Sequence, residues 1–283
     1  MLEYKLSLSG VECAVTEWNP QASLTVFALH GWLDNLATFE SLAANLPNLR
    51  LIAVDFPGHG HSQHIPEGMA YHFYDGIYLI HDLAEHFKQS KINLLGHSMG
   101  GALSLVFAAS CPEKISGLVS IESLGPLTAT PEQMREHFSD SIKQRAALKN
   151  KSKPVYDAFA DALNARASAS QIAHKPIEPI VERGLTKVEG GYTWQADSRL
   201  RVVSPLRLSE THLENLLEQI KIPVLVIEGE AGYLTGNELF QKRKNKIRQL
   251  DCKLVSGGHH VHLEEPEECA QIISQYFEQL VEN

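Results

Sequence analysis

The 283-residue chain has only four cysteines, Cys13, Cys111, Cys252 and Cys269, and none stands in a C-x-x-C or zinc-ligand spacing. That excludes a disulfide framework and points to reduced thiols, as in a cytoplasmic protein. No run of 18 apolar residues occurs, so nothing reads as a membrane span. The opening MLEYKLSLSGVECAV lacks a basic stretch followed by an apolar one, so no secretory signal is expected. Positive charge is also in short supply. Lys and Arg number 25 against 34 Asp and Glu, a formal net charge of −9, and such a surface repels phosphates and excludes nucleic acid as an expected partner. Apolar residues make up 43% and charged residues 21%, which excludes a disordered or fibrous chain. A chain of this length can bury a large core without a disulfide or metal staple. Nothing in the sequence sets an oligomeric state.

Histidine is what the chain has in excess, with 14, clustered in DFPGHGHS (55–62) and GHHVH (258–262). Either these bind a metal, or one is catalytic and the others are not. His59, His61 and His64 lack a matching acidic or cysteine partner set, so no metal or cofactor is expected.

Residues 4–18 alternate apolar and polar side chains around Ser9-Gly10 and predict an antiparallel hairpin. Short apolar runs follow at 24–29, 51–54, 92–95, 117–121, 223–227 and 252–255, of the kind that forms strands buried on both faces. Helical periodicity fills the gaps at 38–46, 74–89, 99–110, 211–219, 237–245 and 266–281. This alternation predicts an α/β fold with a mostly parallel sheet covered on both faces. The rhythm breaks over residues 126–207. Thr130-Pro131-Glu132 reads as a helix start, 155–167 as a helix and GGYTWQ (190–195) as a turn. This predicts a core of residues 1–125 and 208–283, with 126–207 as a mostly helical cap over the carboxyl edge of the sheet.

The strongest local signal is GHSMG, Gly96 to Gly100, which follows the apolar strand INLL and opens the helix MGGALSLVFAAS. A nucleophile on a sharp strand-to-helix turn needs small residues two positions before and after it. That leaves the Ser98 hydroxyl exposed at a helix N-terminus, where free N–H groups favour a developing anion. A serine hydroxyl also needs a base. His259 is the first histidine after the last strand and its Gly-Gly turn. His260 and His262 read as polar loop histidines.

The motifs ALHGW (28–32), DFPGHGHS (55–62), GHSMGG (96–101) and GHHVHLEEPE (258–267) occur in the order seen in α/β-hydrolase-fold enzymes. The chain resembles that superfamily over nearly its whole length outside the insertion. HGWLDN, GEAGYL and GGYTW are most similar to its serine hydrolase-like proteins. The resemblance implies an eight-stranded sheet with the cap inserted after the sixth strand, and His259 as the base. It implies an oxyanion hole from the backbone N–H groups of Met99 and Trp32, leaving both side chains free to line the pocket. It implies structural roles for His30 and for Asp55, Gly58, His59 and Gly60.

The third triad member departs from the common pattern. Many relatives carry an aspartate three residues after the glycine that follows the seventh strand; here that position is Gly232. Glu230 could substitute, the site could be a dyad, or the acid could follow the sixth strand, as in haloalkane dehalogenase-like members. Glu122, at the end of GLVSIES, fits that third option best. A serine in place of their aspartate nucleophile argues against dehalogenase or epoxide hydrolase chemistry. The expectation is a serine hydrolase that cleaves a small-molecule carboxylic ester, thioester or lactone through an acyl-enzyme. The alternative is a non-catalytic protein of the same fold that binds a ligand or partner. Pocket candidates besides Trp32 and Met99 are Leu124, Tyr192 and Trp194. Arg199 and Arg201 read as solvated.

Overall fold

Ser9 and Gly10 both take positive φ, 50° and 74°, the backbone that joins two right-twisting strands through a two-residue turn. In the computed structural model, which describes residues 1–282, β1 (Leu2–Leu8) and β2 (Val11–Trp18) pair antiparallel with Leu8 opposite Val11. The apolar runs become β3 (Leu24–Leu29), β4 (Leu49–Val54), β5 (Ile92–His97) and β6 (Ile115–Ile121). After an insertion that carries β7 (Leu185–Val188) and β8 (Gly191–Trp194), the main sheet resumes with β9 (Val224–Gly229) and β10 (Leu250–Val255). Its eight strands run in the order β1-β2-β4-β3-β5-β6-β9-β10, parallel from β4 onward. This is the mostly parallel sheet anticipated from the alternation of strand and helix, with the eight strands that the resemblance implies.

The period of two along each strand divides its apolar residues between two layers. Phe27, Leu29, Ile52 and Val54 join one core; Val26, Ala28, Leu51 and Ala53 join the other. The helices supply the opposing faces. They are α1 (Glu40–Ala44), α2 (Gly76–His86), α3 (Met99–Ser110), α4 (Met134–Leu148), α5 (Phe159–Ser170), α6 (His174–Gly184), α7 (Glu210–Leu217), α8 (Glu238–Lys244), α9 (Val261–Glu264) and α10 (Pro266–Glu282). Leu79 and Leu83 of α2, Leu103 of α3 and Leu213 and Leu217 of α7 cover the first face. Leu42 of α1 and Cys269, Ile273 and Phe277 of α10 cover the second. Among the described residues, no helix is long and apolar enough to cross a membrane.

Residues 126–207 hold α4, α5, α6 and the β7–β8 hairpin. Thr130 caps the turn that leads into α4, in reciprocal contact with Gln133. α4 has no buried residue, while α5 and α6 bury Ala162, Ala167, Ile177, Ile180 and Val181. Two expectations need correction. The stretch 190–195 is a turn only at Gly190; from Gly191 to Trp194 it is β8, antiparallel to β7 and bridged to Tyr156. That bridge pairs Tyr156 with Tyr192, and the helix predicted over 155–167 starts only at Phe159.

Candidate active site

Ser98 sits between β5 and α3 with φ 50° and ψ −110°, a strained backbone held by its surroundings. Its N–H bonds to Ile121 O, and Gly100 N–H bonds to His30 O. A Cβ on Gly96 would overlap the backbone of Gly100 and Gly101, and one on Gly100 would overlap the Leu29 carbonyl. The two glycines allow the first turn of α3 to press against β3 and β5. Met99 opens α3, so no carbonyl one turn earlier takes up its N–H.

His259 Nε2 lies 3.0 Å from Ser98 Oγ, and His259 Nδ1 lies 3.3 Å from Glu122 Oε2. The three side chains form one chain of contacts, and Glu122 is fully buried within it. Its carboxylate also accepts Gly229 N–H at 2.8 Å and Tyr233 N–H at 2.7 Å. Glu122 itself has φ 50°, and its N–H bonds to Ile227 O. Gly232 explains the departure from the common pattern. A Cβ there would overlap the Glu122 carboxylate, so an acid at 232 and an acid at 122 compete for the same space. Glu230 is exposed.

Burial holds His259 below its usual pKa, and the Glu122 hydrogen bond opposes that shift. The exposed Tyr233 ring stacks on the imidazole with centroids 4.1 Å apart. Sequence reasoning missed Tyr233, although it lies in the quoted GEAGYL segment.

The other residues singled out in the sequence divide between site and scaffold. Trp32 is 51% exposed, and its indole N–H donates to Leu200 O in the insertion. His30 is fully buried and accepts Phe56 N–H at 3.0 Å, bracing its loop; burial lowers its pKa to about 4. Asp55 holds Leu36 N–H, His61 N–H and the Arg183 guanidinium, a structural turn as expected. His59, His61 and His64 go to separate partners, Pro57 O, Glu3 and Asp197. Arg199 is not a solvated arginine. It grips Asp197 and the carbonyls of Ile65, Pro66 and Met69.

The pocket candidates are corrected. Leu124 is fully buried in the core beside Leu213, and its carbonyl accepts from Arg243. Tyr192 and Trp194 pack on Ala162, Val181 and Leu185 within the insertion. Trp194 also lines a cleft of about 300 Å³ with His61, His64, Lys153 and Gln195, and no triad candidate lines it. β8 uses these aromatic side chains to build the insertion's own core.

His260 and His262 are not polar loop residues either. Both are buried, with His97, in a cluster behind His259. His262 bonds Thr38 Oγ1 at 2.6 Å, and burial holds it well below its usual pKa. His97 Nε2 meets His259 O at 2.9 Å. Asp34 lies beside them and pairs with Arg166 of α5. Burial pushes the Asp34 carboxyl up, but Arg166 and His260 outweigh it and hold it well below the usual value.

Residues 25–172, just over half of the chain, match the family described as alpha/beta hydrolase fold. A serine hydrolase-like protein of Danio rerio is 27% identical over 98% of this chain and 88% of its own. A probable serine hydrolase of Drosophila melanogaster is 29% identical over 93% and 83%. The crystal structure of a hypothetical protein from Pseudomonas aeruginosa PAO1 superposes with a TM-score of 0.92, at 35% identity and full coverage of both chains. Sheet order, the Ser98 turn and these matches agree: the chain belongs to the α/β-hydrolase fold family.

Proposed function

We propose that the protein is a serine hydrolase that cleaves a small carboxylic ester, thioester or lactone through an acyl-enzyme, with Ser98, His259 and Glu122 as its triad. The observation that carries this reading is the unbroken Ser98–His259–Glu122 chain at 3.0 and 3.3 Å. Ser98 Oγ attacks the carbonyl carbon while His259 Nε2 takes its proton. Glu122 keeps the remaining proton on Nδ1 and stabilises the imidazolium that forms. The N–H groups of Met99 and Trp32 receive the oxyanion. His259 then protonates the leaving group and activates the water that deacylates Ser98.

Residues 126–207 act as the cap over this centre. Buried or partly buried polar contacts tie them to the core: Arg166 to Asp34, Arg183 to Asp55, and Asn35 Nδ2 to Ile180 O. A fluorophosphonate probe tests the reaction class. Wild-type protein is expected to be labelled and Ser98→Ala is not. Equal labelling of both overturns Ser98 as the nucleophile, and labelling of neither favours a non-catalytic binding protein.

A further inference from the structure

Behind His259, Asp34, His97 and His260 converge on a single point. They are 3%, 1% and 7% exposed. Asp34 Oδ2 lies 3.5 Å from His97 Nδ1 and 3.4 Å from His260 Nε2, and the three atoms all lie within 4.8 Å of one another. These separations are long for hydrogen bonds, which cluster at about 2.7–3.2 Å. The two Asp34 separations fit the edge of a ligand tetrahedron, about 3.4 Å when metal–ligand bonds are about 2.0–2.1 Å.

The tautomer of His97 points the same way. Its Nε2 faces the His259 carbonyl at 2.9 Å, which can only accept, so Nε2 carries the hydrogen. In the neutral ring Nδ1 then presents a lone pair, and it has no hydrogen-bond partner among the described residues. Its neighbour is a carboxylate oxygen, another acceptor. Two acceptors facing each other in a buried space suit a cation between them. A ring N–H given to a backbone carbonyl, with the other nitrogen aimed at a shared point, is the arrangement of a metal-ligating histidine.

We propose that Asp34 Oδ2, His97 Nδ1 and His260 Nε2 bind one divalent late first-row transition ion, of the zinc, cobalt or nickel class. Two imidazoles and a carboxylate suit these ions better than calcium or magnesium. Arg166 takes the other carboxylate oxygen, Oδ1, and so fixes the orientation of Asp34. A guanidinium beside a dication also costs affinity, so occupancy is reversible.

The test uses the full chain, stripped with EDTA and titrated with Co²⁺ by visible spectroscopy. One equivalent is expected, with the intense d–d bands of a four-coordinate site. His260→Gln is expected to lose at least about tenfold in affinity, since even second-shell changes cost about 10–100-fold. His61→Gln, at a half-exposed site, is expected to bind as wild type. His260→Cys keeps a ligand in place and is expected to add a thiolate-to-cobalt charge-transfer band, which guards against a His260→Gln variant that fails to fold. No binding, or binding unchanged in His260→Gln, overturns the site. Because the spectra require no turnover, a failure of the serine hydrolase reading would appear separately, as absent fluorophosphonate labelling.

Discussion

Moving the acid from residue 122 to residue 232 is expected to fail as one substitution and to work better as two. Glu122→Ala strips His259 of its Nδ1 partner and leaves Gly229 N–H and Tyr233 N–H without their acceptor. Each unsatisfied buried N–H costs about 1–3 kcal/mol, so the loss of stability is about 2–6 kcal/mol, reduced by any water that enters. Loss of the orienting acid costs about 10⁴ in kcat in a well-studied serine protease triad, and a fall of about 10³–10⁴ is expected here. Gly232→Asp alone forces a side chain into the Glu122 carboxylate and is expected to lower both stability and activity. With both changes, the introduced carboxylate enters the vacated space, within reach of the same imidazole. The double variant is expected to exceed Glu122→Ala by at least about tenfold in kcat/KM, or about 1.4 kcal/mol of transition-state stabilisation. The coupling is therefore opposite in sign to additive damage. The assay is p-nitrophenyl acetate hydrolysis on all four proteins, with urea denaturation alongside. The reasoning fails if Glu122→Ala keeps near wild-type kcat/KM, or if the double variant is no better than either single one. A large loss in Glu230→Gln would instead assign the acid to Glu230.

Three further outcomes follow from the same contacts. Because Glu122 raises the otherwise depressed His259 pKa, the acidic limb of kcat/KM in wild type is expected below pH 6.5. In Glu122→Gln residual activity should fall off at still lower pH; an unmoved or upward-shifted limb counts against the pairing. Arg166→Met leaves Asp34 buried without its cation, and unfolding in urea should show a loss of about 3–5 kcal/mol; a change under 1 kcal/mol would mean that this pair does not anchor the cap. Burial lowers His30 to about 4 and His59 to about 3. Below pH 6.5 the unfolded chain takes up protons that these folded rings refuse, so stability falls by about 1.4 kcal/mol per pH unit per histidine down to those values. Urea midpoints that stay level from pH 7 to pH 4.5 would contradict this.

The strands were readable because each parallel β segment is a short apolar run whose two faces meet different cores. Ser98 and His259 were readable because a sharp turn and a terminal loop leave local marks, and Glu122 because Gly232 left a gap in the motif to explain. The β8 strand was hidden by the Gly190-Gly191 pair, although Tyr192, Thr193 and Trp194 are strand-forming residues. Leu124 stands close to Glu122 in sequence, yet its side chain turns into the core. The ion pair between Asp34 and Arg166 spans 132 residues, and no local pattern marks such a contact. His260 and His262 looked like loop residues because polar side chains next to glycines usually are. Here α9 and the residue before it carry them inward against Thr38, His97 and Asp34.

The position of Glu122 also bears on how such a protein could be rebuilt. The proposed nucleophile, one proposed oxyanion donor and the proposed acid all lie between Ile92 and Glu122, in a single strand–helix–strand unit. With the acid at 232 instead, the whole insertion would separate it from the nucleophile. As the chain stands, the insertion begins only after both Ser98 and Glu122. A cap of different length or sequence could be grafted between residues 125 and 208 without changing the spacing of Ser98 and Glu122, and only His259 would have to find its place across the graft. The insertion and the Ser98–Glu122 spacing thus lie in separate stretches of chain, which can change independently.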